Sequence, residues 1–262
     1  MTINLGVTLL VLGLGGGFLS GLLGLGGAIF MIPLLLYVPP LLHVGELSMK
    51  TVAAISMVQV LSASISGVLV HHKNRFVSKA LIAAMGITMV AGALSGSIFS
   101  KSSSSTTLLG IFATMALIAA VMMFVPRPEQ GSDIDPDTVT FNKPAAALVG
   151  LIVGFFGGMV GAPGAFILIP IMIYLLKIPT RIVIGTTLGI VFLGAVAGTI
   201  GKLATGQIIW PMALALVVGT VPGAQIGGKI SKKTKAQTLR ILIAIIIAVT
   251  SLRMFYQVFT GR

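Results

Sequence analysis

Two glycine-rich breaks inside apolar sequence are the stretches best suited to hold a ligand. They are Gly24-Leu25-Gly26-Gly27-Ala28 and Gly161-Ala162-Pro163-Gly164-Ala165. Glycine lets the backbone itself approach a bound group. A helical arm that starts at Ala28 or Ala165 presents free N–H groups and a positive partial charge, which suit an anion. Irregular backbone at membrane depth is tolerated only when it is buried in protein or lines a cavity. Gly24, Gly26, Gly27, Gly161, Pro163 and Gly164 are therefore candidate substrate contacts. The competing reading is close helix packing, which glycine also serves.

Polar side chains follow each break. Ser56 and Gln59 lie after the first, Thr186 and Thr187 after the second. Hydroxyl and carboxamide donors suit an oxyanion. The alternative is a hydrogen bond to another helix or back to the residue's own helix. Lys50 and Arg181 head the spans that carry these residues, where they can draw an anion to a pathway entrance or snorkel to headgroups. His71 and Lys202 read as boundary residues and Trp210 as an interfacial anchor. Pro33 and Pro170 read as kinks in the second arms.

Absences narrow the chemistry. No Asp or Glu lies within a predicted span, which argues against a cation substrate and an acidic proton relay. The chain has no cysteine and only three histidines, so neither thiolate chemistry nor a metal or other cofactor is expected. Gly13 to Gly17 superficially matches a dinucleotide loop but lacks the strand and the acidic partner that fingerprint requires.

The elements that must position these residues are written twice. At an offset of 137 positions, Gly17, Phe18, Gly21, Gly24, Gly27, Ala28, Ile32, Pro33 and Tyr37 meet identical residues, from Gly154 to Tyr174. Beyond the first loop the offset falls to 131, and Lys50 meets Arg181, Ser56 meets Thr187, and Gly92 and Gly96 meet Gly223 and Gly227. So long a period marks two halves of a duplicated membrane protein, and paired breaks in the two halves point to a transporter's binding site.

Composition fixes the class. Of 262 residues 56% are hydrophobic and 8% charged, against about 25% charged in a soluble domain. The net charge of +12 is scattered between apolar runs, which suits cytoplasmic loops of a membrane protein rather than nucleic-acid binding. Residues 3–38 would make a single helix of roughly 54 Å, too long for a hydrocarbon core of about 30 Å. Two short helices meeting at the glycine cluster are predicted, either re-entrant or thinly spanning. Spans follow near 51–71, 80–100 and 106–125, then a second broken segment at 144–176 and spans near 181–204, 208–228 and 238–258. The predicted organisation is a first membrane repeat (1–125), an acidic, proline-bearing linker (126–142) and a second repeat (143–262). If each broken segment crosses an even number of times, the repeats are inverted, and twelve of the seventeen Lys and Arg residues fall on one side. The positive-inside rule then places the linker in the cytoplasm and both termini outside. The N-terminus lacks a signal peptide's features and reads as retained.

The motifs GLLGLGGAIFMIPLLL and GGMVGAPGAFILIPIMI, with RIVIGTTL after the second, resemble the TauE/SafE sulfite exporter family, also called the 4-toluene sulfonate uptake permease family. The resemblance spans nearly the whole chain. It implies an all-α, multi-pass permease of the inner (plasma) membrane for sulfite, sulfonates such as sulfoacetate, or related organic anions. Pro163 departs from the first copy's Gly26, and Gly185-Thr186-Thr187 stands where members often show Gly-Thr-Ser. The leading expectation is a secondary transporter, not an enzyme, that exports a small sulfur-containing anion by alternating access at a midplane site. An inside-negative potential expels a monoanion with about 2.3 kcal/mol per 100 mV. A passive anion channel and a non-transporting scaffold are the alternatives. The partners expected are a small anion, the lipid bilayer and, as an oligomer to consider, a second copy of the chain.

Overall fold

The computed structural model describes residues 2–23, 27–71, 77–124, 139–231 and 253–254. Within them the chain is helical, without strands. α1 (Ile3–Leu23) and α2 (Ala28–Leu41) form the first broken segment. α3 (Met49–His71) follows. α4 (Lys79–Leu81), a π-helical turn (Ile82–Gly86) and α5 (Ile87–Phe99) make one rod. α6 (Ser105–Phe124) closes the first half. The second half runs through α7 (Lys143–Val160), α8 (Ala165–Tyr174), α9 (Thr180–Ala204) and α10 (Trp210–Ser231). Seven of these segments are long and apolar enough to cross a membrane: α1, α3, the α4–α5 rod, α6, α7, α9 and α10. All but residues 253–254 of the predicted span at 238–258, most of the linker, and Gly24 and Gly26 lie outside the described residues.

The broken segments differ from the prediction in their proportions. The first arms are full length and only the second arms are short. α1 has 21 residues and α7 has 18, against 14 in α2 and 10 in α8. At 1.5 Å per residue α8 covers about 15 Å, half the hydrocarbon thickness. Both second arms carry prolines within them, Pro33, Pro39 and Pro40 in α2 and Pro170 in α8. Both segments fold back. Leu5 of α1 lies beside Gly45, just past α2. Leu175 and Lys177, just past α8, share a shallow groove with Thr140 and Asn142 at the start of α7. Asn142 caps α7, accepting the Ala145 N–H at 3.0 Å.

The halves are interlocked through glycine. Gly13, Gly17 and Gly21 of α1 lie against the backbones of Leu216, Thr220 and Ala224 of α10, and Gly223 and Gly227 return the contact to Leu14 and Phe18. The second set has the same register. Gly150, Gly154 and Gly158 of α7 meet Met85, Met89 and Ala93, and Gly92 and Gly96 meet Leu151 and Phe155. Each pair maps onto its counterpart at the offsets of the duplication. A Cβ at most of these glycines would strike a backbone atom of the partner helix, so the spacing brings two backbones together with no side chain between them. In both pairs residue numbers rise together, so α1 runs parallel to α10 and α5 parallel to α7. The contacts Gly86–Leu193, Gly189–Ile82, Gly194–Met89 and Gly201–Ser97 rise together too, so α5 is parallel to α9. The duplicated helices α3 and α9 pack on each other at the centre, and α3 is the most buried of the spans.

Candidate functional site

Three glycines of the breaks adopt left-handed backbone: Gly27 (φ 73°), Gly161 (φ 78°) and Gly164 (φ 76°). Gly161 ends α7, and the Ala162 N–H returns to the Gly157 carbonyl at 2.9 Å. Gly27 and Gly164 occupy equivalent places, heading α2 and α8, and no side chain caps either helix. Their surroundings differ. Gly27 rests on Gly16 and Ser20 of its own first arm. Gly161 is pressed against the backbone of Ala53 in α3, and Pro163 lies beside Gly194 of α9. The second break is thus inserted between the two central helices, while Arg181 sits in the first turn of α9 with a side chain outside the described set.

Ser56 lies one turn beyond Ala53 on the same side of α3, and Gln59 one turn further. Both are fully buried. The Ser56 hydroxyl and both polar atoms of the Gln59 carboxamide have no hydrogen-bond partner. A buried polar atom without a partner costs about 1–3 kcal/mol, and such groups in native proteins call for a ligand, a water or a catalytic role. The helix also passes Met57 against Gly198 of α9, so these orphan groups lie where the second break meets the α3–α9 pair.

The other two predicted contacts are already engaged. The Thr186 hydroxyl accepts the Ser78 N–H at 3.1 Å. The Thr187 hydroxyl donates to the Val183 carbonyl of its own helix at 2.7 Å and touches the Met172 sulfur at 3.7 Å. Lys50 is half-buried, and its Nζ donates to the Lys101 carbonyl at 3.1 Å.

Lys202 corrects the sequence reading. It is fully buried rather than reaching for headgroups. Its Nζ donates to Ser100 Oγ (2.5 Å), Gln207 Oε1 (3.1 Å) and the Met159 carbonyl (3.2 Å). Gln207 is held in turn, donating to the Ser97 carbonyl at 2.9 Å and the Thr205 hydroxyl at 2.6 Å. The signal in the sequence was a cation inside a predicted span, which by itself marks a functional candidate. No cluster of metal-ligating side chains occurs among the described residues.

A family model described as "Sulfite exporter TauE/SafE" matches residues 9–254. The chain belongs to the TauE/SafE family. Its relatives include the probable membrane transporter protein YunE of Bacillus subtilis, 25% identical over 96% of this chain and 97% of its own length. A probable membrane transporter protein of Methanocaldococcus jannaschii is 25% identical, covering 94% of each chain. One from Xylella fastidiosa is 27% identical, over 87% of this chain and 86% of its own. No solved structure matches. This TauE/SafE protein is therefore a multi-pass membrane transporter and not an enzyme, with seven membrane-length helices among its described residues.

Proposed function

We propose that the protein is a secondary transporter that exports a small sulfur-containing anion, sulfite or an organosulfonate such as sulfoacetate, by alternating access at a site between two inverted repeats of the inner membrane. The observation that carries this reading is the pair Ser56 and Gln59, fully buried and unpartnered on a central helix beside the second glycine break. A hydroxyl and a carboxamide donate to an oxyanion without bringing a charge that would trap it. The family's printed description supports a sulfur oxyanion. Of the chain's five acidic residues only Glu46 is described, and it is exposed.

The inverted arrangement draws support from helix direction. α9 and α10 are joined by the short turn Thr205–Ile209 and, as membrane-length helices, run oppositely. α7 and α5 run with α9, and α1 runs with α10. The first arms of the two repeats therefore point in opposite directions. A reporter fused to the C-terminus is expected to read as external, and a cytoplasmic reading would sink the inverted topology.

Purified protein in liposomes, given sulfite, sulfoacetate, taurine, sulfate and acetate under an imposed voltage, tests the substrate. Saturable sulfite or sulfoacetate flux with counterflow is expected. Unsaturable, high-rate flux would make it a channel, and absence of flux for every compound would refute the proposal.

A further inference from the structure

Among the described side chains Lys202 is the only charged group that is fully buried. Its three N–H directions are filled by neutral acceptors: the Ser100 hydroxyl, the Gln207 carboxamide oxygen and the Met159 carbonyl. Neutral dipoles satisfy hydrogen bonding but leave the net charge uncancelled, and a buried charge without a counter-ion is costly. A second ammonium converges on the same corner. Lys50 donates to the carbonyl of Lys101, the neighbour of Ser100, and Ser100 accepts from Lys202. Two ammoniums drawn together with no carboxylate bonded to Lys202 repel each other, and a bound anion would offset that repulsion.

The position of this corner gives the charge a use. Met159 is in the last turn of α7, two residues before Gly161. Gly161 rests on Ala53, and Lys50 and Ala53 are one turn apart on α3. Ser56 is the next turn inward. Lys50, Lys202 and Ser56 thus form a series leading from the head of α3 toward the second break.

We propose that Lys202 and Lys50 form an anion subsite at the head of α3, with Lys202, in its protonated form, as the buried counter-charge that sets the sign of the permeating solute. The ligand class is a small oxyanion carrying net negative charge, bound directly by the partly exposed Lys50 ammonium and attracted through space by the enclosed Lys202, before or after it meets Ser56 and Gln59. This inference rests on the transport reading above. It explains how a pathway with no described buried carboxylate distinguishes an anion from a zwitterion with the same sulfonate group, since only the anion gains from an uncancelled positive charge.

The test uses the full-length protein in liposomes, with sulfite and taurine as probes. Lys202→Gln is expected to raise the KM for sulfite about tenfold and to reduce the sulfite-over-taurine preference by about as much, while Lys202→Arg stays within about threefold of wild type. A well-folded Lys202→Gln protein with unchanged sulfite KM and unchanged preference would overturn the subsite and leave the transport reading standing. Should Lys202→Gln not insert, Lys50→Gln decides. A sulfite KM raised by about threefold, more at low salt than at high, supports the subsite; an unchanged KM overturns it. Wild-type protein that moves neither sulfite nor any other anion of the panel would refute both readings together.

Discussion

α3 and α9 hold equivalent places in the duplication yet carry opposite polar chemistry. Ser56 of α3 is buried and unpartnered, whereas its counterpart Thr187 bonds back to Val183. Gln59, also unpartnered, corresponds to the apolar Ile190. The glycine contacts of α1 with α10, by contrast, recur one for one between α7 and α5. The glycine framework repeats between the halves while the polar groups do not. This is physically coherent. On the proposed alternating-access reading, two opposite closures would need two equivalent frames, whereas one solute would need only one set of donors.

The largest effect that can sharpen this comparison lies in the framework. Gly17→Leu and its counterpart Gly154→Leu each drive a side chain into a partner backbone, at Thr220 and Met89. Overpacking costs about 1–3 kcal/mol and more against an unyielding backbone. Both variants are expected to lose monodisperse protein on size exclusion to a similar degree. A large difference between the two would break the equivalence of the frames.

At the breaks the expected effect falls on flux. Gly27→Leu and Gly164→Leu place a side chain at φ 73° and 76°, a strain of about 1–3 kcal/mol. Both proteins are expected to insert and to lose transport. Wild-type flux in both would remove the breaks from the site.

The smallest effects separate the central helices. Gln59→Leu removes buried, unpartnered polar atoms, so thermal stability is expected to rise by about 1–3 kcal/mol while flux falls ten- to a hundredfold. Thr187→Val removes a satisfied hydrogen bond, so stability is expected to fall by about 1 kcal/mol with flux within threefold. Paired melting and flux measurements check both signs. A destabilised Gln59→Leu with normal flux would make Gln59 a packing residue.

Much of the fold was legible in the sequence because spans and breaks are local features. Apolar length placed α3, the α4–α5 rod, α6, α9 and α10 within a few residues, and the glycines placed the starts of α2 and α8 at Ala28 and Ala165. The unequal arms were not legible, since the total apolar length does not say where the return helix will stop. The site was legible only as a set of residue types. Ser56 and Thr187 look alike in sequence, and what distinguishes them is whether the hydroxyl finds a carbonyl in its own helix. The Thr186 hydroxyl receives the N–H of Ser78, 108 positions away, a partner no spacing rule reveals. Lys202 was misread because distance from a span's end says nothing about what packs over it.

The π-helical turn at Ile82–Gly86 and the residues beside it depart from the shared frame. Thr88, just beyond the turn, stands where the second repeat has Gly219, and its hydroxyl bonds back to the Ala84 and Met85 carbonyls at 3.3 and 3.1 Å. The equivalent stretch of α10 is uninterrupted α-helix.

Because each repeat's leading helix packs through glycine against a helix of the other, the packing units are not the covalent halves. They are swapped pairs, α1 with α10 and α7 with α5, the second pair straddling the linker. Severing the gene at that linker would yield two fragments, each exposing a bare glycine groove shaped for its missing relative. Neither groove could close before the other fragment arrived in the same bilayer.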